Sequence, residues 1–465
     1  MSVPPVRASR LPPVAILLRP TRRDLSRVVR LAVPVALVQV GMMAMGVVDT
    51  IMVGRVSPED LAAVALGNLY FFTTAVFGMG LLMALDPLVA QAVGAGDETA
   101  AAKAVQRGLI LSLVLACITS LALVPATPVF QFLQQPLGVI PIAAGYAHWS
   151  IPGTLGFFLF VIFRQTLQAM GRVAPLLWTV LAANGLNAFL NWILIWGNLG
   201  APRLGAVGSA MGSSLARWFM AIALLGVAWP LLRPYLRPLR PGLLNPAPLL
   251  RMVVIGAPIG LQSMLEFGAF ALTGIFMGWL GTAPMAAHQV ALNLAAFTFM
   301  VPLGIAAAGA VRVGQEIGRG EPDAARGAAG ASLLLGFAFM SVTALVLLLF
   351  PGPLGRIYTE DAAVLAMVTL LIPIAGVFQV FDGLQAVAAG ILRGAGDTRV
   401  PVLINLAGFW LVGLPLSLLL GFTFGHGPVG IWWGLAAGLA AVAVLLLSRV
   451  VVRMGRDLQR LTVDR

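Results

Sequence analysis

The chain has 465 residues, of which 60% are hydrophobic and only 10% charged. A soluble domain carries roughly 25% charged residues, so the composition excludes a soluble protein and places the chain in a membrane. The net charge of +12 sits in short segments between apolar runs, which reads as a topology signal and excludes a basic nucleic-acid-binding face.

Residues 1–30 hold seven arginines and no long apolar run, and are expected to form a cytoplasmic N-terminal tail. No cleaved signal peptide is expected, because the first apolar run is too long and no cleavage site follows it. A span needs ~20 apolar residues. Twelve are predicted, at 31–53, 63–93, 106–126, 138–163, 175–197, 206–229, 252–280, 285–315, 328–350, 362–392, 400–421 and 428–452. All should be α-helices, because an open strand cannot satisfy its backbone in lipid. Cys117, the single cysteine, lies in the third run, so no disulfide can form within one chain.

The basic residues sort across this map. The N-terminal tail shares its side with Lys103 and Arg107, Arg164 and Arg172, Arg233 to Arg251, Arg312 to Arg326, Arg393 and Arg399, and the basic C-terminal end. The opposite side holds only Arg55, Arg203 and Arg356, and Arg217 falls within a span. By the positive-inside rule both termini are expected in the cytoplasm.

The chain also repeats itself. Pro34 parallels Pro258, Gln91 parallels Gln315, and Gly94 and Gly96 parallel Gly318 and Gly320, all at one constant offset. Six spans per half makes these parallel repeats about an axis along the membrane normal, as in alternating-access transporters. The predicted fold is therefore an all-α integral membrane protein with two six-helix lobes. The expected parts are an N-lobe over 31–229, a cytoplasmic linker over 230–250, a C-lobe over 251–453 and a cytoplasmic C-terminal tail over 454–465. The linker, with six prolines and three arginines, reads as a partly extended connector.

Charged groups inside spans point to function, since a charge at the bilayer centre costs at least ~2.5–3.5 kcal/mol. At 1.5 Å per residue, Glu266 and Asp382 are expected roughly 21 and 15 Å from the cytoplasmic side, both near the midplane and level with each other. Gln262 and Gln379 share their faces a turn away. Two carboxylates in low dielectric repel, so the pair can hold a proton or a monovalent cation. Asp49, with Asn187 and Asn191, forms a second cluster nearer the outside. The repeat offset pairs Asp49 with Thr273 and Glu266 with Met42, so the lobes share a scaffold but not their polar chemistry. Asp86, before Pro87, reads as a helix-packing or gating residue. Met42 and its neighbours suit an adaptable surface. His288 could line a cleft, although its surroundings read as core.

The segments VDTIMVGRVS from Val48, LVAQAVGAGD from Leu88 and VFDGLQAVAAGILRGAGDTRVP from Val380 resemble the multidrug and toxic compound extrusion (MATE) family, in its bacterial NorM-like branch. The resemblance implies a cation-coupled antiporter in the bacterial cytoplasmic (inner) membrane, exporting amphiphiles and organic cations from a cleft between two lobes. It implies a C-lobe cation site at Glu266 and Asp382 and an N-lobe cluster at Asp49, Asn187 and Asn191. Gln262, Phe378, Gln379, Met42 and His288 are the expected substrate-cleft residues. Phe378 stands where that branch often has tyrosine, which removes an oxygen and favours a proton over sodium at the pair. No cofactor is expected, and no metal beyond such a sodium ion. The partners expected are small molecules and the bilayer, with no nucleic acid, and the chain is expected to be a monomer. The alternative is a flippase for a lipid-linked glycan, whose cleft should be rich in arginine. An intramembrane enzyme is not expected, for want of a nucleophile–base pair or metal motif.

Overall fold

A computed structural model describes residues 12–461. Arg7 and Arg10 of the expected tail, and residues 462–465, lie outside the described residues. Among the described residues, twelve helices are long and apolar enough to cross a membrane. In chain order they are α1 (Arg22–Val53), α2 (Pro58–Gly94), α3 (Glu98–Leu123), α4 (Ile140–Ala169), α5 (Ala174–Leu194), α6 (Gly205–Val227), α7 (Pro246–Leu280), α8 (Thr282–Gly318), α9 (Pro322–Leu349), α10 (Ala362–Gly394), α11 (Arg399–Thr423) and α12 (Gly427–Met454). Each coincides with one predicted span, and several run further toward the termini's side.

Local chemistry sets the ends. Thr21 and Asp24 form a reciprocal capping box at the start of α1. The side chains of Ser57 and Asp97 cap α2 and α3 by accepting from Asp60 N and Ala100 N. These bonds satisfy amides that the first turn of a helix leaves without partners. At the far end of α2 and α8 the chain turns through Gly96 and Gly320, with φ of 69° and 74°. That left-handed backbone favours glycine, and the two positions are equivalent in the repeat. Two helices depart from regularity. α2 is interrupted at Met83 and Ala84, and α11 contains π-helical turns over Leu406–Gly413 and Leu419–Thr423.

The repeat read in the sequence reappears in the packing. Within the halves α4 packs along α6, and α10 along α12. Between the halves α1 meets α8, and α2 meets α7. These crossings rest on missing side chains. A Cβ on Gly80 would lie 2.5 Å from Gly260 Cα, and one on Gly304 would lie 2.7 Å from Ala36 Cα. Gly80 and Gly304 are repeat equivalents, as are Ala36 and Gly260, so one contact is the symmetry image of the other. The same holds at the helix ends. A Cβ on Gly94 would run into Gln315 O, and one on Gly318 would run into Gln91 O. Lipid is as apolar as leucine, so burial does not drive helices together there, and small residues that let backbones touch take over. The surface agrees. Ile118 and Leu121 on α3 are exposed, as are their repeat equivalents Val342 and Leu345 on α9. Such broad apolar faces suit lipid.

The connecting parts are more ordered than expected. Arg22 to Arg30 of the expected tail are the first turns of α1, and Pro13–Leu18 forms a short helix. The linker, expected to be partly extended, contains a helix over Trp229–Leu236. It is pinned to α3 by Gln106, which donates to Tyr235 O and Pro238 O at 3.0 Å. The described residues after α12 are tied down. Arg460 pairs with Asp97 at 2.8 Å, and Leu461 N donates to Gln91 Oε1 at 2.7 Å. A segment of the C-terminal tail thus lies across the seam on the side that carries the start of α1 and the end of α12.

Candidate functional site

Between the halves lies a cavity of about 520 Å³, within the usual size of small-molecule sites. Its walls come from α1, α2, α4 and α6 on one side and α7, α8 and α10 on the other. Apolar groups dominate, with Met42, Met43, Met45, Met79, Met83 and Phe72 among them. Methionine adapts its shape to different ligands.

Glu266 opens onto this cavity from α7. Its Oε1 accepts a hydrogen bond from Gln385 Nε2 at 3.0 Å. The same nitrogen lies 3.4 Å from Asp382 Oδ1. Asp382 is buried, 5% exposed, behind Gln385. One amide therefore ties together the two carboxylates that the depth argument set level. Gln385 escaped the sequence reading, although it lies three residues after Asp382, where helical neighbours share a face.

Asp49 faces the same cavity from α1. Asn191 Nδ2 donates to its Oδ1 at 2.5 Å, and Ser213 Oγ donates to its Oδ2 at 2.7 Å. Asn191 also lies 3.4 Å from Asn187 Oδ1. Asp49, Asn187 and Asn191 therefore come together, with Ser213 of α6 added. Nearby Asn184 instead holds α5 to α1 through Gly41 O at 2.9 Å. Arg217 lies 3.8 Å over the Phe71 ring and lines the same cavity as Asp49. Its guanidinium is thus kept over an aromatic face, which offsets part of its desolvation.

The expected cleft residues divide. Gln262 and Met42 line the cavity. Phe378, Gln379 and His288 do not, and those three expectations are corrected. Phe378 is 1% exposed and meets Phe270 and Trp432 edge-on, with ring centroids 5.9 and 5.8 Å apart. His288 packs against the same Trp432 at 5.6 Å. Gln379 is fully buried and donates to Thr298 Oγ1. All three belong to the interior of the C-lobe. Their helices carry them past the cavity wall, a rotation that spacing alone does not fix.

Two arginines sorted as loop charges are also corrected. Arg164 lies in α4 and Arg393 in the last turn of α10, and both line the cavity. Arg393 Nε is 3.0 Å from Asp86 Oδ2. Arg164 Nη1 reaches Gln39 Oε1 at 3.3 Å. The cavity wall thus holds Asp49, Asp86 and Glu266 together with Arg164, Arg217 and Arg393. Among the described residues no group of three or more His, Cys, Asp or Glu side chains could hold a metal ion.

Comparison with known proteins places this architecture. The MatE family model matches residues 34–193 and again 258–419, two segments that start at the equivalent prolines of the repeat. The chain is 39% identical to the multidrug resistance protein NorM of Burkholderia vietnamiensis, over 90% of this chain and 92% of that one. It is 33% identical to the multidrug resistance protein MdtK of Edwardsiella ictaluri, over 92% and 95% of the two chains. Among solved structures it resembles the eukaryotic MATE transporter AtDTX14, with a TM-score of 0.85 at 23% identity over 92% of this chain and 96% of that one. An outward-facing multidrug resistance MATE family transporter of the MOP superfamily gives 0.82 at 20% identity, over 96% and 99%. A doubled family match on the two halves, and relatives this similar over nearly the whole length, show that the chain belongs to the multidrug and toxic compound extrusion (MatE) family of membrane transporters.

Proposed function

We propose that the protein is a secondary active antiporter that exports amphiphilic, often cationic compounds in exchange for protons or sodium ions by alternating access. The observation that carries this reading is the Glu266–Gln385–Asp382 bridge in the wall of an inter-lobe cavity. The pair can take up a cation on one side of the membrane and release it on the other when the lobes rock. The relatives are named for multidrug resistance, which supports small amphiphiles as cargo. The flippase alternative calls for a cleft where arginine prevails, whereas three acids here face three arginines.

The proton is the favoured coupling ion. The group between the carboxylates offers them an N–H, and sodium needs several oxygens. Phe378 does not bear on the choice, because it points into the aromatic interior. The division into an N-lobe over 31–229, a linker over 230–250 and a C-lobe over 251–453 belongs to this reading. So does the placement of both termini on the cytoplasmic face of the inner membrane. One chain holds the whole cavity, which supports a monomer as the transport unit.

The test is uptake of a fluorescent organic cation into proteoliposomes under separately imposed proton and sodium gradients. Accumulation is expected with an outwardly directed proton gradient and is expected to vanish in Asp382→Asn. Wild-type accumulation by Asp382→Asn would overturn the C-lobe site. Stimulation by sodium alone would overturn the choice of proton.

A further inference from the structure

Gln91 and Gln315, equivalent in the repeat, form matching bonds across the seam between the lobes. Gln91 Nε2 donates to the carbonyl of Gly394, the last residue of α10, at 2.9 Å. Gln315 Nε2 donates to the carbonyl of Ala169, the last residue of α4, at 2.7 Å. The two amide oxygens are satisfied differently. Gln315 Oε1 accepts from Arg312 Nη1, three residues earlier in its own helix, at 3.1 Å. The repeat equivalent of Arg312 is Leu88, whose side chain has nothing to donate. Gln91 Oε1 accepts instead from Leu461 N, beyond the end of α12, at 2.7 Å. Gln91 is buried, and a buried acceptor left without a donor is costly. The segment after α12 therefore supplies what α2 lacks.

That segment is seated on one lobe and bonded to the other. By chain it continues α12 of the C-lobe. Arg449 Nε holds α12 to Asp397 Oδ2, in the turn after α10, at 2.6 Å. Leu461 packs on the same turn, where a Cβ on Gly396 would lie 2.8 Å from Leu461 Cδ1. Its polar contacts run the other way. Arg460 Nη2 lies 2.8 Å from Oδ2 of Asp97, the cap of α3, and Leu461 N meets Gln91 of α2. Both of those partners belong to the N-lobe. The two bonds exist only while the lobes touch at this end. A contact made in one of two states shifts the equilibrium toward that state by its full worth.

We propose that residues 455–461 form a releasable strap, which holds the lobes together on the side of the seam it crosses and must let go of Gln91 and Asp97 before the seam can part. The strap sets the fraction of molecules open on that side. Its anchor on the C-lobe keeps it close to the N-lobe partners, so it reseats each time the lobes return. The proposal goes beyond the exchange of ion for cargo, and rests on the alternating-access reading for the lobes parting here at all.

The test uses the full chain in lipid nanodiscs, with Cys117→Ala and spin labels on cysteines at the exposed Thr99 and Glu321, at the starts of α3 and α9. Double electron–electron resonance reads the distance between them as separate closed and open populations. Leu461→Pro removes the N–H that Gln91 accepts and is expected to raise the open-to-closed ratio about tenfold. Arg460→Gln removes a partly exposed ion pair and should raise it about twofold. A second measurement needs no destabilised variant. Cysteines at Asp97 and Arg460, bridged by a short bis-methanethiosulfonate, should abolish the open population, and reduction of the bridge should restore it. Unchanged ratios in both single variants would overturn the proposal. So would a single population in every sample, or an open population that persists with the bridge in place. Transport is scored separately in proteoliposomes with the same bridged protein. Export at the full rate with the bridge intact would overturn the strap and leave antiport standing. Populations that shift as expected, in a protein that moves no cargo under any gradient, would count against antiport and leave the strap standing.

Discussion

At the scale of residues, the site depends on one neutral side chain. Gln385 offers its amide to both Glu266 and Asp382, so neither acid is alone and neither is fully satisfied. Groups that act as a unit lose their function together. Glu266→Gln and Asp382→Asn are each expected to remove nearly all gradient-driven export, by about tenfold or more, and the double variant to add little. The comparison is made on initial uptake rates at matched protein levels. Losses that multiply would show that the two carboxylates do not share a cation. Both acids were legible in the sequence because charge is rare inside a span. Gln385 was not, because neutral amides are cheap enough to occur in a membrane helix for packing reasons alone.

At the scale of elements, the glycines at the ends of α2 and α8 decide how closely the lobes meet. A Cβ on Gly318 would fall on the backbone carbonyl of Gln91 and 3.0 Å from Ala95 N. Backbone cannot swing aside as a side chain can, so the helices must part. Gly318→Ala is expected to open this end of the seam. Cysteines at Ala95 and Arg319, in a chain where the exposed Cys117 is replaced by alanine, should cross-link in the parent and several-fold more slowly in Gly318→Ala. Gly94→Ala should act alike, being its repeat equivalent. An unchanged cross-linking rate would mean that the backbone contact is not what closes this end.

At the scale of the whole molecule, the start of α1 and the end of α12 lie on the side where the lobes touch, and the segment after α12 crosses the seam there through Arg460 and Leu461. The proposed topology, read from the positive-inside bias, puts that side in the cytoplasm. A fluorescent protein fused after Arg465 should fluoresce, and alkaline phosphatase at the same point should be inactive. Phosphatase inserted beside Arg203, between α5 and α6, should be active. The reverse pattern would turn the topology over and with it the direction of transport.

The sequence by itself determined the number of spans, the two-fold repeat and the buried acids. Each follows from a rule the bilayer applies locally: apolar length, a fixed offset, and the cost of a charge in hydrocarbon. It did not determine which side of a helix meets the cavity. Phe378, Gln379 and Asp382 are close neighbours on α10, yet the first two turn into the aromatic interior and the third toward Gln385 and Glu266. Arg164 and Arg393 looked like loop charges, because a residue near a helix end can reach water or turn inward. Only the packing of α4 and α10 against the opposite lobe, set by backbones in contact across the seam, brings those guanidiniums to the wall of one cavity.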